Sequence, residues 1–159
     1  MSNSLKKNVV KVMVFGSFDG LHRGHLDFFR QARALIERKK LRNSFAKPFL
    51  IVSVARDKNV IKIKHKKPFF NERKRMILIK KCNLVDEVVL SGVGNHIPHI
   101  LKERPDIIAL GYDQSAYVPN LKKDLKNKGL LVKIVRLKPY KEKIYKNHLL
   151  KKKKTNTLI

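Results

Sequence analysis

Gly16-Ser17-Phe18-Asp19-Gly20-Leu21-His22-Arg23-Gly24-His25, preceded by Val9-Val10-Lys11-Val12-Met13-Val14-Phe15, decides how the rest of the chain is read. The leading run is apolar and β-branched, as a buried strand requires. Three glycines then fall within nine positions, where a backbone can turn tightly and a bulky anion can approach the main chain. Helical periodicity begins at once beyond them, with Leu26, Phe29, Ala32, Leu35 and Ile36 on one face. A strand therefore feeds a helix through a glycine turn. The first free N–H groups of that helix, at its positive dipole end, face the turn, and His22 and His25 add imidazole donors. The stretch is built to hold phosphates. It is not a P-loop, for it lacks Gly-x-x-x-x-Gly-Lys-Ser/Thr, nor the dinucleotide Gly-x-Gly-x-x-Gly. Gly92-Val93-Gly94 lacks a third glycine and reads as a loop.

Outward from this turn, strands and helices alternate. Strands are expected at 9–16, 49–54, 87–90, 107–110 and 131–135, and helices at about 25–40, 71–82, 97–102 and 119–128. A closing helix is expected from Lys141, and Gly129 suits a helix C-terminus. Residues 58–70 read as a basic, flexible connection. This order predicts a single α/β Rossmann-like domain over 1–159, core about 9–150: a five-stranded parallel sheet with helices on both faces. Ligands of such sheets sit at the carboxyl ends of the strands. Asp57 and Asp113, like the histidines, fall just after strands.

A chain of 159 residues can bury a real core. No apolar run is long enough to span a membrane, and the polar start Met1-Ser2-Asn3-Ser4 lacks a signal-peptide core, so a cytoplasmic protein is expected. Cys82, the one cysteine, falls in a helical apolar pattern and reads as a small buried filler. The net charge of +26 invites a nucleic-acid reading. The excess is mostly lysine spread along the chain, with no aromatic-interleaved patch, which favours solvated surface charge and attraction of polyanionic substrates without specific nucleic-acid binding. Lys151-Lys152-Lys153-Lys154 reads as a frayed helix end. His96 and His99 have a metal-like spacing but no third ligand nearby, so a surface helix is the better reading and no protein metal site is expected.

Phe18-Asp19-Gly20-Leu21-His22-Arg23-Gly24-His25 resembles the His-x-Gly-His signature of the nucleotidyltransferase superfamily of cytidylyl- and adenylyltransferases. Further matches follow in order: Ala55-Arg56-Asp57, Arg75 ahead of Val85-Asp86-Glu87-Val88, and Gly111-Tyr112-Asp113-Gln114. With Val135-Arg136-Leu137-Lys138-Pro139-Tyr140, they are most similar to archaeal-type FAD synthetases, which are FMN adenylyltransferases. The resemblance implies ATP and FMN as substrates and FAD and pyrophosphate as products. It implies Mg²⁺ carried by the triphosphate rather than by a protein cage. A cytidylyltransferase acting with CTP on glycerol 3-phosphate or a phospho-alcohol is the alternative. A basic nucleic-acid-binding module without catalysis is the alternative of another class. A homodimer is left open.

By the same resemblance His22, His25 and Arg75 are the catalytic candidates, with Arg73 in reserve if the register slips. Gly16, Ser17, Phe18, Asp19, Gly24, Asp57, Lys67, Gly111, Asp113 and Asn147 are the nucleotide-binding ones. The family sets lysines of the second connection against the phosphates, and Lys62, Lys64, Lys66 and Lys67 all qualify. Asp19 and Asp113 could hold Mg²⁺ or nucleotide hydroxyls, Asp19 alternatively capping the turn. One departure stands out. Ile144-Tyr145-Lys146-Asn147-His148-Leu149-Leu150 lies where the family commonly carries a hydroxyl-rich stretch, leaving Asn147, Lys146 and His148 as donors.

Overall fold

A computed structural model describes residues 9–37, 46–114 and 118–140. Its strands are β1 (Val9–Gly16), β2 (Lys47–Val54), β3 (Glu87–Leu90), β4 (Ile107–Leu110) and β5 (Lys133–Arg136). Its helices are α1 (Arg23–Glu37), α2 (Asp57–Lys64), α3 (Glu72–Lys80), α4 (Ile97–Glu103) and α5 (Val118–Asn127). All four strand pairings are parallel, in the order β3-β2-β1-β4-β5. The chain leaves β1 toward β2 and β3, then returns to β1's other side for β4 and β5. The topological switch point thus lies between the carboxyl ends of β1 and β4, which is where Gly16 and Gly111 stand.

The central strands are apolar throughout because the sheet is covered on both faces. Val12, Val14, Leu50, Val52 and Ala109 pack against Phe29, Ala32 and Ile36 of α1 and Ile79 of α3. The alternate residues Met13, Ile51 and Ile108 pack against Ile100 of α4 and Leu121 and Leu125 of α5. Register is pinned by two acids at the amino ends of strands. Asp86 accepts from Leu50 N at 2.7 Å and from Arg33 Nη1 at 2.6 Å, and Asp106 accepts from Lys11 N at 2.8 Å.

Several elements differ from the expectation, β2 among them, which begins at Lys47 rather than 49. The start of the basic connection, from Asp57 to Lys64, is helix α2. Asp57 in its first turn and Lys62 and Lys64 in its last complement the helix dipole, and Val60 is the one residue it buries. At the other end of the chain, β5 begins at Lys133 rather than 131, and Leu131 is 78% exposed. Cys82 is half-buried against the α1 face. The closing helix expected from Lys141, with Asn147 and the rest of 144–150, lies outside the described residues. No helix among the described residues is long and apolar enough to cross a membrane.

Candidate active site at the carboxyl ends of β1 and β4

The turn from β1 to α1 is organised by an inward phenyl ring. Phe18 has a positive φ of 48°, is 4% exposed and packs 5.3 Å from the ring of Phe29. A Cβ on Gly16 would lie 2.8 Å from the Phe18 ring, so only glycine lets the ring fold back beneath the turn. Gly20, at φ +92°, completes the reversal by donating its N–H to Phe18 O at 2.9 Å. Phe18, expected among the nucleotide contacts, thus contributes its side chain to the core.

On this base the two imidazoles meet. His22 immediately precedes α1, and its carbonyl accepts from His25 N (3.0 Å) and Leu26 N (3.2 Å), the opening bonds of the helix. Gly24 N donates to His22 Nδ1 at 3.1 Å. In the neutral ring this acceptor role places the proton on Nε2, making that atom a donor. The His22 and His25 rings stack with centroids 3.8 Å apart and 22° between planes. His25 also meets the edge of Phe18 at 5.3 Å. Burial, then the neighbouring His22 and Lys64, pushes His25 down from 6.5 to about 3, a backbone hydrogen bond to Gly20 working the other way. His25 is therefore a neutral imidazole at neutral pH.

Cationic charge arrives from α2. Lys64 Nζ donates to Ser17 Oγ at 3.0 Å. The helix stops one residue later, where His65 takes a left-handed φ of 52° and caps onto Ile61 O. Of the four candidate lysines, Lys64 is the one seen against the turn; Lys67 stands on the exposed stretch beyond it.

Arg75 is fully buried. Its Nη1 donates to Ser17 O at 2.7 Å, its Nε to Phe70 O at 3.1 Å, and its Nη2 to Asp57 Oδ1 at 2.6 Å. Asp57 N in turn donates to Glu72 Oε2 at 2.8 Å. Expected as a phosphate fork, Arg75 here joins the glycine turn to the start of α2 and the approach to α3, with Asp57 as its counter-ion. Arg73, the alternative, is exposed. Asp19 reinforces the joint, its two carboxylate oxygens accepting from Phe69 N (2.6 Å) and Phe70 N (2.8 Å). That geometry is a clasp between segments.

The β4 side is held by residues that the sequence reading quoted only inside longer motifs. Gln114 Oε1 accepts from Gly111 N at 2.9 Å, and its Nε2 donates to Phe15 O at 2.7 Å, bridging the switch point. Arg136, at the end of β5, donates to the carbonyls of Gly111 (2.8 Å) and Gln114 (2.9 Å). Asp113 is exposed on this turn, its Oδ1 3.4 Å from where a Gly111 Cβ would stand. Arg136 gave no local signal for this role, because the carbonyls it binds lie 22 and 25 residues earlier in the chain.

Asp19 and Asp57 are engaged in these contacts, and among the described residues no three His, Cys, Asp or Glu side chains gather into a group that could hold a metal ion. The cytidylyltransferase-like family model matches residues 13–157. A protein of Aciduliprofundum boonei named FAD synthase is 39% identical over 132 residues, covering 83% of this chain and 80% of its own length. A FAD synthase of Korarchaeum cryptofilum is 42% identical over 127 residues, covering 80% of each. A crystal structure from Thermoplasma volcanium, titled a lipopolysaccharide core biosynthesis protein, superposes with a TM-score of 0.68 at 35% identity, over 82% of this chain and 98% of the other. With the His22–His25 stack and the switch-point turns in place, the chain belongs to the cytidylyltransferase-like family, among relatives named FAD synthase.

Proposed function

We propose that this protein is an FMN adenylyltransferase, converting MgATP and FMN to FAD and pyrophosphate. The observation that carries the reading is the stacked His22–His25 pair at the start of α1, with Lys64 drawn to Ser17 beside it. The FAD synthase relatives supply the substrates.

The acceptor is a phosphate and already nucleophilic, so the reaction needs no covalent enzyme intermediate and no strong base. An FMN phosphate oxygen attacks the α-phosphorus of ATP in line. The new P–O bond forms as the bond to the β-phosphate oxygen breaks, and the electron pair leaves with pyrophosphate. What the protein supplies is alignment and stabilisation of the developing negative charge. His22, its tautomer set by Gly24 N, offers Nε2–H to a phosphate oxygen. His25 stacks on His22 and holds that ring in place. Lys64 neutralises charge toward the leaving group. Arg75 and Asp57 act as positioning residues, setting the start of the helix that carries Lys64 to its mark. Gly111, Gln114 and Arg136 hold the opposite wall for the nucleoside.

Pyrophosphate release measured with ATP or CTP against FMN, riboflavin and glycerol 3-phosphate tests the assignment. Release is expected with ATP plus FMN and not with riboflavin, which lacks the nucleophilic phosphate. Release dependent on CTP and glycerol 3-phosphate would establish the cytidylyltransferase reading instead.

A further inference from the structure

The end of the sheet away from the glycine turns carries a feature that the reaction leaves unused. Helix α5 and the chain entering β5 enclose a cavity of about 300 Å³, lined by Lys122, Lys126, Leu130, Leu131, Val132 and Lys133. Lys122 and Lys126 stand four residues apart on α5 and so share one of its faces. The turn from α5 into β5 is fixed: Gly129 takes a φ of +85°, and Leu130 N donates to Leu125 O at 2.9 Å. Leu130 and Val132 are buried in the core, whereas Leu131 between them is turned into solvent. Lys133 pairs with Ile107, the first residue of β4. The cavity therefore lies at the amino ends of these strands, opposite the catalytic end.

Its chemistry defines an occupant. Every charged side chain in the lining is a lysine, which calls for an anionic partner. The aliphatic residues among those lysines call for an apolar side chain carried by the same partner. No aromatic side chain lines the cavity, so nucleic acid would find charge there and no platform on which to stack its bases. The neighbouring backbone adds a third demand. β5 ends the strand order, and among the described residues no strand pairs with its outer side. Lys133 N and Leu137 N donate to Asp106 O and Leu110 O, on the β4 side. The alternate residues Ile134 and Arg136 thus direct their N–H and C=O groups away from β4. An extended peptide takes such an edge, and a small free anion does not.

We propose that the α5–β5 cavity docks an extended acidic segment of another protein, with an aliphatic side chain beside Leu131 and carboxylates on Lys122, Lys126 and Lys133. A second copy of this chain is a poor occupant, because each copy carries a net charge of +26.

The test titrates the whole chain into a short fluorescein-labelled peptide that alternates aspartate with leucine and valine, read by anisotropy at about 0.15 M salt, where distant charges are screened. Leu131→Ser and Lys126→Glu should each weaken binding at least fivefold. Lys74→Glu, the same charge change on an exposed residue of α3, should alter it less than twofold. A peptide with serine in place of its aliphatic residues should bind at least fivefold more weakly. FAD synthesis should run at the wild-type rate in all three variants, since the cavity lies at the far end of the sheet. Equal weakening by Lys126→Glu and Lys74→Glu would leave net charge as the whole cause and overturn the proposal. Unchanged affinity in Leu131→Ser, or no binding of the peptide by the wild type, also overturns it. Oligouridylate that binds more tightly than the peptide and loses affinity in Leu131→Ser would make the cavity a nucleic-acid site instead. If the wild type makes no FAD, the adenylyltransferase reading fails and the docking proposal stands on its own titrations.

Discussion

Lys64 reaches Ser17 from the last turn of α2, while Lys67 stands three residues on, in solvent. Charge is equal at the two positions and reach is not, so their substitutions should separate. Lys64→Met is expected to lower kcat/KM for ATP by about tenfold or more, as loss of a charge-assisted phosphate contact does. Lys67→Met should change it by less than about twofold, because an exposed charge acts only through screened solvent. Equal effects in steady-state assays would contradict the placement of α2. His25 carries a second residue-scale consequence, through stability. With its pKa at about 3 in the folded chain against 6.5 when free, the unfolded state binds a proton that the native state refuses between those values. Stability therefore rises with pH across that window and falls on acidification. Going from pH 7 to pH 5 should cost about 2 kcal/mol from this residue. The lowered His96 and His99 act in the same direction. Urea unfolding at the two pH values checks this, and His25→Gln should flatten the dependence. An unchanged midpoint in wild-type protein would contradict it.

At the scale of elements, the clasp made by Arg75 and Asp19 decides whether α2 and α3 meet the glycine turn. Arg75→Met leaves Ser17 O and Phe70 O without their donor and Asp57 without its counter-ion. The expected loss is about 3 kcal/mol of unfolding free energy, toward the low end for a broken buried pair because Asp57 remains partly exposed. Arg75→Lys keeps the charge but cannot reach three partners at once, so it should recover less than half. A denaturant midpoint unmoved in both would mean that the clasp is not holding these segments. The elements also show what was legible. β1, the glycine turn and α1 were readable because apolar run, glycines and helical period change sharply at each boundary. β3 and β4 were readable as short apolar runs between polar breaks. α2 was not, since one buried residue, Val60, leaves almost no period among three lysines. Arg75 was identified but its surroundings were not: a buried guanidinium with carbonyl partners drawn from Ser17 and Phe70 cannot be read from local pattern. Asp19's contacts to Phe69 N and Phe70 N lie 50 and 51 residues away, beyond the reach of local pattern.

Across the whole molecule, 38 basic against 12 acidic side chains make a field that draws any polyanion. Nucleic acid should bind weakly and without sequence preference. That binding should fall by about 10³ between 50 and 200 mM salt through counterion release. ATP affinity should fall far less on the proposed function, because hydrogen bonds to His22 and Lys64 at the turn would be shorter than the screening length. Parallel titrations separate the two, and tight nucleic-acid binding persisting at the higher salt without FAD synthesis would favour a binding module. The parallel order β3-β2-β1-β4-β5 sets the topological switch point at the carboxyl ends of β1 and β4. The measurement that bears most directly on the account is FAD formation from MgATP and FMN, with pyrophosphate followed in the same reaction, for wild-type protein and for His22→Ala of matched Tm. The account predicts one FAD per pyrophosphate in the wild type and a fall in kcat of about 10²–10³ in the variant, the cost of one preorganised donor to the transition state. No FAD from the wild type, or a His22→Ala rate equal to it, would contradict the account.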